Sequence, residues 1–128
     1  MNAEVINMSD MQMGAVESKF ADIIWEHEPL SSSELAKYAE QVLQWKKTTS
    51  YTVLKRLCDK GIFKNEKGTV SSIIARDDFY SMQSKRFVDD TFCGSLPAFL
   101  AAFTSQKKLS ADEVAQLRKM VEDYEGGE

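Results

Sequence analysis

Residues 47–74, KTTSYTVLKRLCDKGIFKNEKGTVSSII, decide the fold. Plotted at about 100° per residue, Ser50, Val53, Leu54 and Leu57 share one side of a helix running from about Lys47 to Lys60. Thr48, Thr52, Lys55 and Asp59 lie opposite, flanked by Tyr51 and Arg56. Threonine is a mediocre helix former, so Thr48, Thr49 and Thr52 together call for a reason other than propensity. Hydroxyls and amide N–H groups at a helix start suit phosphate and base contacts. An N-cap role would serve Thr48 and leave the rest of the face unexplained. Gly61 is the expected left-handed residue that ends the helix. Ile62 to Ile74 then reads as two short strands around a tight turn containing Gly68.

Working toward the N-terminus, Val16, Phe20, Ile23, Ile24 and Trp25 predict a helix from about Gly14 to Glu26, stopped by His27-Glu28-Pro29. Ser31 and Glu34 form a capping-box pattern for a second helix, with Leu35, Ala36, Ala39, Val42 and Leu43 as its buried face. Three helices followed by a hairpin with a basic arm give a winged helix-turn-helix layout. Toward the C-terminus a helix carries Phe79, Met82, Phe87, Val88 and Phe92 from Arg76 onward. Gly94-Ser95-Leu96-Pro97 breaks and restarts it, with Ser95 as cap. Leu96, Phe99, Leu100 and Phe103 mark a short helix. Ser110 and Glu113 cap a last one bearing Val114, Leu117, Met120 and Val121, and the tail Glu125–Glu128 should fray. These last helices are amphipathic without enough mass to enclose a core, so a second copy of the chain is the expected partner.

The chain has 128 residues and a formal net charge of −4. Its charge is unevenly placed: residues 45–67 hold seven cations (Lys46, Lys47, Lys55, Arg56, Lys60, Lys64 and Lys67) against Asp59 and Glu66, a segment of +5 on a remainder of −9. A basic stripe on an acidic body is what a local phosphate-contacting surface requires. No apolar run approaches membrane-spanning length and the first residues lack a signal-peptide pattern, so a cytoplasmic protein is expected.

Catalysis would need a constellation of groups, and the sequence offers none. His27 is the only histidine and sits at a helix end. Asp77-Asp78 and Asp89-Asp90 are adjacent pairs that point to different helix faces. There is no Gly-rich phosphate loop or Gly-x-Ser-x-Gly. Cys58 and Cys93 have no metal-ligand spacing and read as small apolar residues without a disulfide. No enzyme activity, metal or cofactor is expected.

The recognition-helix pattern Thr49-x-x-Thr52-x-Leu54-x-Arg56-Leu57-x-x-Lys60-Gly61 resembles that of the penicillinase repressor family. The similarity extends to Ile23-Ile24-Trp25, to Trp45, and to Leu109-Ser110-x-Asp112-Glu113-x-x-x-Leu117, and so covers about residues 13–121. The resemblance implies an N-terminal winged helix, a C-terminal helical dimerisation domain, and repression through a palindromic operator bound by the homodimer. In one branch of the family a membrane-bound sensor metalloprotease triggers cleavage of the repressor; by ungapped counting from Leu109-Ser110 the bond is Ala102–Phe103. This chain departs from the family where Lys46-Lys47 replaces a Ser-Pro helix start, where Ser71-Ser72 replaces an aromatic and proline, and where Ala102 stands in place of a common Asn. It has no Cys-x-Cys, which sets it apart from the copper-responsive branch.

The expected architecture is therefore mainly α with a small β-hairpin wing: a winged-helix DNA-binding domain over 1–75 and a helical dimerisation domain over 76–128. Lys46, Lys47, Thr48, Thr49, Tyr51, Thr52, Lys55, Arg56, Lys64 and Lys67 are the expected contacts to double-stranded DNA. Phe87, Phe92, Leu96, Phe99, Leu100, Leu117 and Val121 are the expected dimer contacts. Two other classes stay open on sequence alone: a regulator gated by a small ligand at the dimer interface, and a winged helix used only for protein contact.

Overall fold

The computed structural model describes residues 13–124. The expected fraying of Glu125–Glu128 and most of the segment read as lacking a signal peptide lie outside the described residues. In chain order come α1 (Ala15–His27), β1 (Leu30–Ser31), α2 (Ser32–Leu43), α3 (Lys47–Asp59), β2 (Phe63–Glu66), β3 (Thr69–Ser72), α4 (Arg76–Phe92), α5 (Leu96–Gln106) and α6 (Ala111–Asp123). The mainly helical fold with a small wing is the one expected.

The sheet has one more strand than the hairpin alone. Its order is β1-β3-β2, all antiparallel, with Leu30 opposite Val70 and Phe63 opposite Ser72. A two-residue strand is too short to show alternation, so β1 is invisible to periodicity. Its second residue also caps α2: Ser31 Oγ accepts from the Glu34 N–H at 3.0 Å, and Glu34 Oε1 accepts from the Ser31 N–H at 3.0 Å. The capping box and the strand share a residue because an N-cap has extended backbone angles.

The core beneath the sheet joins Phe20 and Ile24 of α1, Leu35 and Ala39 of α2, Leu54 and Leu57 of α3, and Ile62, Phe63, Val70 and Phe79. Trp25 closes its edge. Its ring lies 5.0 Å from Phe63 and 5.8 Å from Phe79, and its Nε1–H donates to the Ile74 carbonyl at 3.0 Å. Two side chains assigned to buried stripes are not buried: Val16 is 52% exposed and Val42 is 61% exposed. Val16 lies in the first turn of α1 and Val42 in the last turn of α2. Periodicity fixes the direction of a side chain but not how far along the helix the next layer reaches.

The chain divides into two compact units, one ending at Ser84 and the other beginning at Lys85, so the division falls inside α4. In the second unit Phe87, Phe92 and Phe99 meet edge to face, with ring centroids 5.6 to 6.0 Å apart. Ser95 caps α5 by accepting from the Ala98 N–H, and Ser110 with Glu113 forms the expected capping box of α6. Neither α5 nor α6 carries a buried residue.

Candidate nucleic-acid interface

The start of α3 is held by its neighbours. Gln44 ends α2 in the left-handed region, at φ 59°, and turns the chain. Trp45 then stacks on Phe20, with ring centroids 5.0 Å apart and planes inclined by 27°. Lys46, not Thr48, is the N-cap; it is extended and offers no side-chain cap. Thr48 therefore lies inside the first turn, which corrects the capping role considered for it. No carboxylate stands in that turn either. The positive end of the helix and its first amide N–H groups thus face outward beside Lys46 and Lys47, an arrangement suited to anions.

Thr48, Thr49, Tyr51, Thr52, Lys55 and Arg56 are all exposed, while Ser50, Val53, Leu54 and Leu57 are buried. The two-sided helix read from the sequence is the one present. Thr48, Thr49, Thr52, Val53 and Arg56 line a shallow depression of about 230 Å³ on its flank. The Thr52 hydroxyl donates to the Thr48 carbonyl at 2.9 Å, which leaves its oxygen free to accept. At the other end Gly61, at φ +86°, ends the helix: its N–H reaches the Cys58 carbonyl at 3.0 Å and the Ile62 N–H reaches Leu57 at 3.3 Å. Buried Ile62 and Leu57 complete this Schellman arrangement.

The seven cations of the basic segment are not equivalent. Lys46, Lys47 and Lys67 have no ion-pair partner among the described residues. Lys55 pairs with Asp59 at 3.3 Å and Lys64 with Glu66 at 3.5 Å, both on the surface. Arg56 Nη1 instead donates to Glu17 Oε2 at 2.9 Å, and Lys60 Nζ stands 3.7 Å from Glu17 Oε1. Glu17 also accepts from the Gly14 N–H at 3.2 Å. Burial pushes the Glu17 carboxyl up, but the Arg56 and Gly14 hydrogen bonds and the two cations outweigh it and hold the group below the usual carboxylate range.

The wing turns at Lys67, φ 54°, and Gly68, φ 89°. Two successive residues with positive φ make the tight turn whose twist suits a hairpin, and the Gly68 N–H is anchored to Asn65 Oδ1 at 3.0 Å. Lys67 thereby stands at the wing tip, with Lys64 exposed on β2. Ser72 of β3 is tied back to the end of α1: Glu28 accepts from its N–H at 2.7 Å and from its hydroxyl at 3.0 Å.

Among the expected dimer contacts Phe87, Leu96 and Val121 are exposed, at 51%, 57% and 76%, and Phe92, Phe99, Leu100 and Leu117 are half-buried. Ala102 and Phe103 lie exposed within α5. His27 is the last residue of α1 and stacks on Tyr38 at 4.2 Å. Cys58 and Cys93 are free thiols, and burial followed by the nearby Asp59 pushes Cys58 up. No cluster of potential metal ligands occurs among the described residues, and no described helix is long and apolar enough to cross a membrane.

Glu17 and Glu28 were missed by sequence reasoning. Glu17 looks like an ordinary first-turn acid, and nothing local places it beside an arginine 39 positions away. Trp45 was noticed only through the resemblance; its position just before the helix start is the one signal that could have suggested an anchor.

The family model described as "Penicillinase repressor" matches residues 13–123. The chain is similar to the penicillinase repressor of Bacillus licheniformis, 26% identical over 117 residues that cover 88% of this chain and 91% of that one. It is 24% identical over 114 residues to the methicillin resistance regulatory protein MecI of Staphylococcus aureus (strain Mu50 / ATCC 700699), covering 86% and 93%. The penicillinase repressor of Staphylococcus aureus is 24% identical over 117 residues, covering 88% and 93%.

Proposed function

The chain belongs to the penicillinase repressor family of transcriptional repressors, and from that premise we propose that it represses by binding a palindromic DNA operator as a homodimer in the cytoplasm. One observation carries the reading: α3 presents an outward face of hydroxyls and cations beginning at an uncapped, carboxylate-free N-terminus. In a winged helix this is the element that enters the major groove. Thr48, Tyr51 and Thr52 then lie nearest the bases. Lys46, Lys47, Lys55, Arg56, Lys64 and Lys67 meet phosphates, which supply salt-dependent affinity without sequence information. Repression itself is by occupancy of DNA.

The second unit supports self-association, since exposed Phe87, Leu96, Phe103, Met120 and Val121 give it apolar surface that it does not bury itself. Two linked winged helices read half-sites about 10 bp apart or a multiple of that. A sensor metalloprotease cutting Ala102–Phe103 would sever α6 from α4 and most of α5, weaken the dimer, and lower operator affinity without touching a DNA contact.

Selection of duplexes from a random pool, followed by a salt series on the selected site, tests the reading. Replacing Lys46 and Lys47 by Ala should weaken binding to every sequence and flatten the log–log salt slope by about two units. Thr52→Ala should relax preference at one base pair by roughly 1–3 kcal/mol. Equal binding by the wild type and the double lysine variant would refute the phosphate role of Lys46 and Lys47, and failure to select any duplex would favour a winged helix used for protein contact.

A further inference from the structure

Within the basic segment Arg56 alone combines membership of the α3 depression with a carboxylate partner from another helix. The Arg56 side chain is 52% exposed, while that of Glu17 is 19% exposed and that of Lys60 15%. Glu17 is therefore the sheltered centre of the trio and Arg56 its outer member. The group carries one negative and two positive charges. If Arg56 swings away, Glu17 keeps the Gly14 N–H at 3.2 Å and Lys60 at 3.7 Å, so its charge is not stranded. An exposed arginine whose partner is otherwise satisfied is an ion pair that can be exchanged at small cost.

We propose that Glu17 restrains DNA affinity by competing with phosphate for Arg56: the arginine is held by Glu17 in the free protein and passes to a DNA phosphate beside Thr49 at the edge of the α3 depression in the complex. This rests on the DNA-binding reading above and assigns a role to a residue outside the expected DNA contacts. Nonspecific binding is almost wholly electrostatic, whereas operator binding also draws on base contacts. A carboxylate that taxes one phosphate contact therefore lowers both, by the same factor wherever Arg56 meets phosphate. Lys60 is the counter-ion that makes the exchange possible, and its half-buried place at the end of α3 keeps it with Glu17.

The test uses the full chain and a random-sequence duplex, with anisotropy titrations over a salt series. Glu17→Gln should bind severalfold more tightly with the salt slope unchanged, because Arg56 meets the same phosphate in both complexes. The same change in an Arg56→Ala background should alter affinity less than twofold, because the effect runs through Arg56. A Glu17→Gln chain that binds no better, or a gain that persists without Arg56, overturns the proposal. The first would make Glu17 a support for Arg56, and the second a mere contributor to the overall field. A readout on the wild-type chain covers the case in which Glu17→Gln does not fold. The Glu17 side-chain carboxyl ¹³C resonance should shift on saturation with duplex, and an unmoved resonance in the saturated complex also overturns the exchange. Failure of the wild type to bind any duplex would instead remove the DNA-binding reading and the exchange with it.

Discussion

The two units place similar apolar side chains under different conditions. In the first, Phe20, Phe63 and Phe79 are at most 1% exposed and meet residues from every element around them. In the second, Phe87 and Phe103 remain 51% and 43% exposed, although Phe87 touches Phe92 and Phe99 edge to face. A sheet laid over three helices encloses a volume; a short run of helices offers one apolar stripe each and encloses little. The first unit can be stable by its own packing. The second has apolar surface left over, and removing that surface from water is worth roughly 25 cal/mol per Å² to whatever covers it.

The largest expected effect tests where the self-sufficient unit ends. A chain cut after Ser84 keeps Phe79, whose ring packs 5.8 Å from Trp25, and should unfold cooperatively as the first unit. A chain cut after Ala75 loses that ring and should be less stable by about 3–5 kcal/mol, a value read from denaturant midpoints. Equal midpoints for the two fragments would mean that α4 contributes nothing to the core.

Substitutions sharpen the contrast. Phe20→Ala should cost about 3–5 kcal/mol at any protein concentration. Val121→Ser should leave the thermal stability of dilute protein within about 0.5 kcal/mol yet reduce self-association in sedimentation. If Val121→Ser destabilised the dilute chain as strongly as Phe20→Ala, the second unit would have a private core after all.

A smaller effect lies inside α3. The Ser50 hydroxyl is buried without a hydrogen-bond partner among the described residues. Ser50→Ala removes that unpaired group and should be neutral or stabilising by up to about 1 kcal/mol, with DNA affinity unchanged. A clear loss of stability would reveal a partner for the hydroxyl in solution.

The smallest effects concern acid. Glu34 and Glu113 are held below the usual carboxylate range first by the backbone N–H of Ser31 and of Ser110, the latter helped by Lys107. A lowered native value means that the unfolded chain binds more protons. Both contributions are therefore complete above the ordinary carboxylate range and fade as pH falls through the lower native value. Glu34→Gln should flatten the acid limb of global unfolding. Glu113→Gln should change only amide exchange within α6, and a shift of the global acid midpoint by Glu113→Gln would tie the second unit's stability to the first.

The two-sided α3, the Gly61 stop, the turn at Gly68 and both serine capping boxes were legible in the sequence, because each depends on residues within a few positions of one another. So was the class of interface, since hydroxyls and cations on the exposed side of one helix are a matter of helical spacing alone. What only the tertiary structure decided involves distance along the chain. The pairing of Leu30-Ser31 with Val70-Thr69, the lock of Ser72 on Glu28, and the stack of Trp45 on Phe20 join residues that no local pattern connects. The exposure of Val16 and Val42 was hidden for the same reason: a helical stripe says which way a side chain points, and only the neighbouring layer says whether anything is there. The division of labour among the cations follows suit. Composition supplied seven positive charges between residues 45 and 67, but packing α1 against α3 placed Glu17 beside Arg56 and Lys60 and left Lys46, Lys47 and Lys67 unpaired among the described residues.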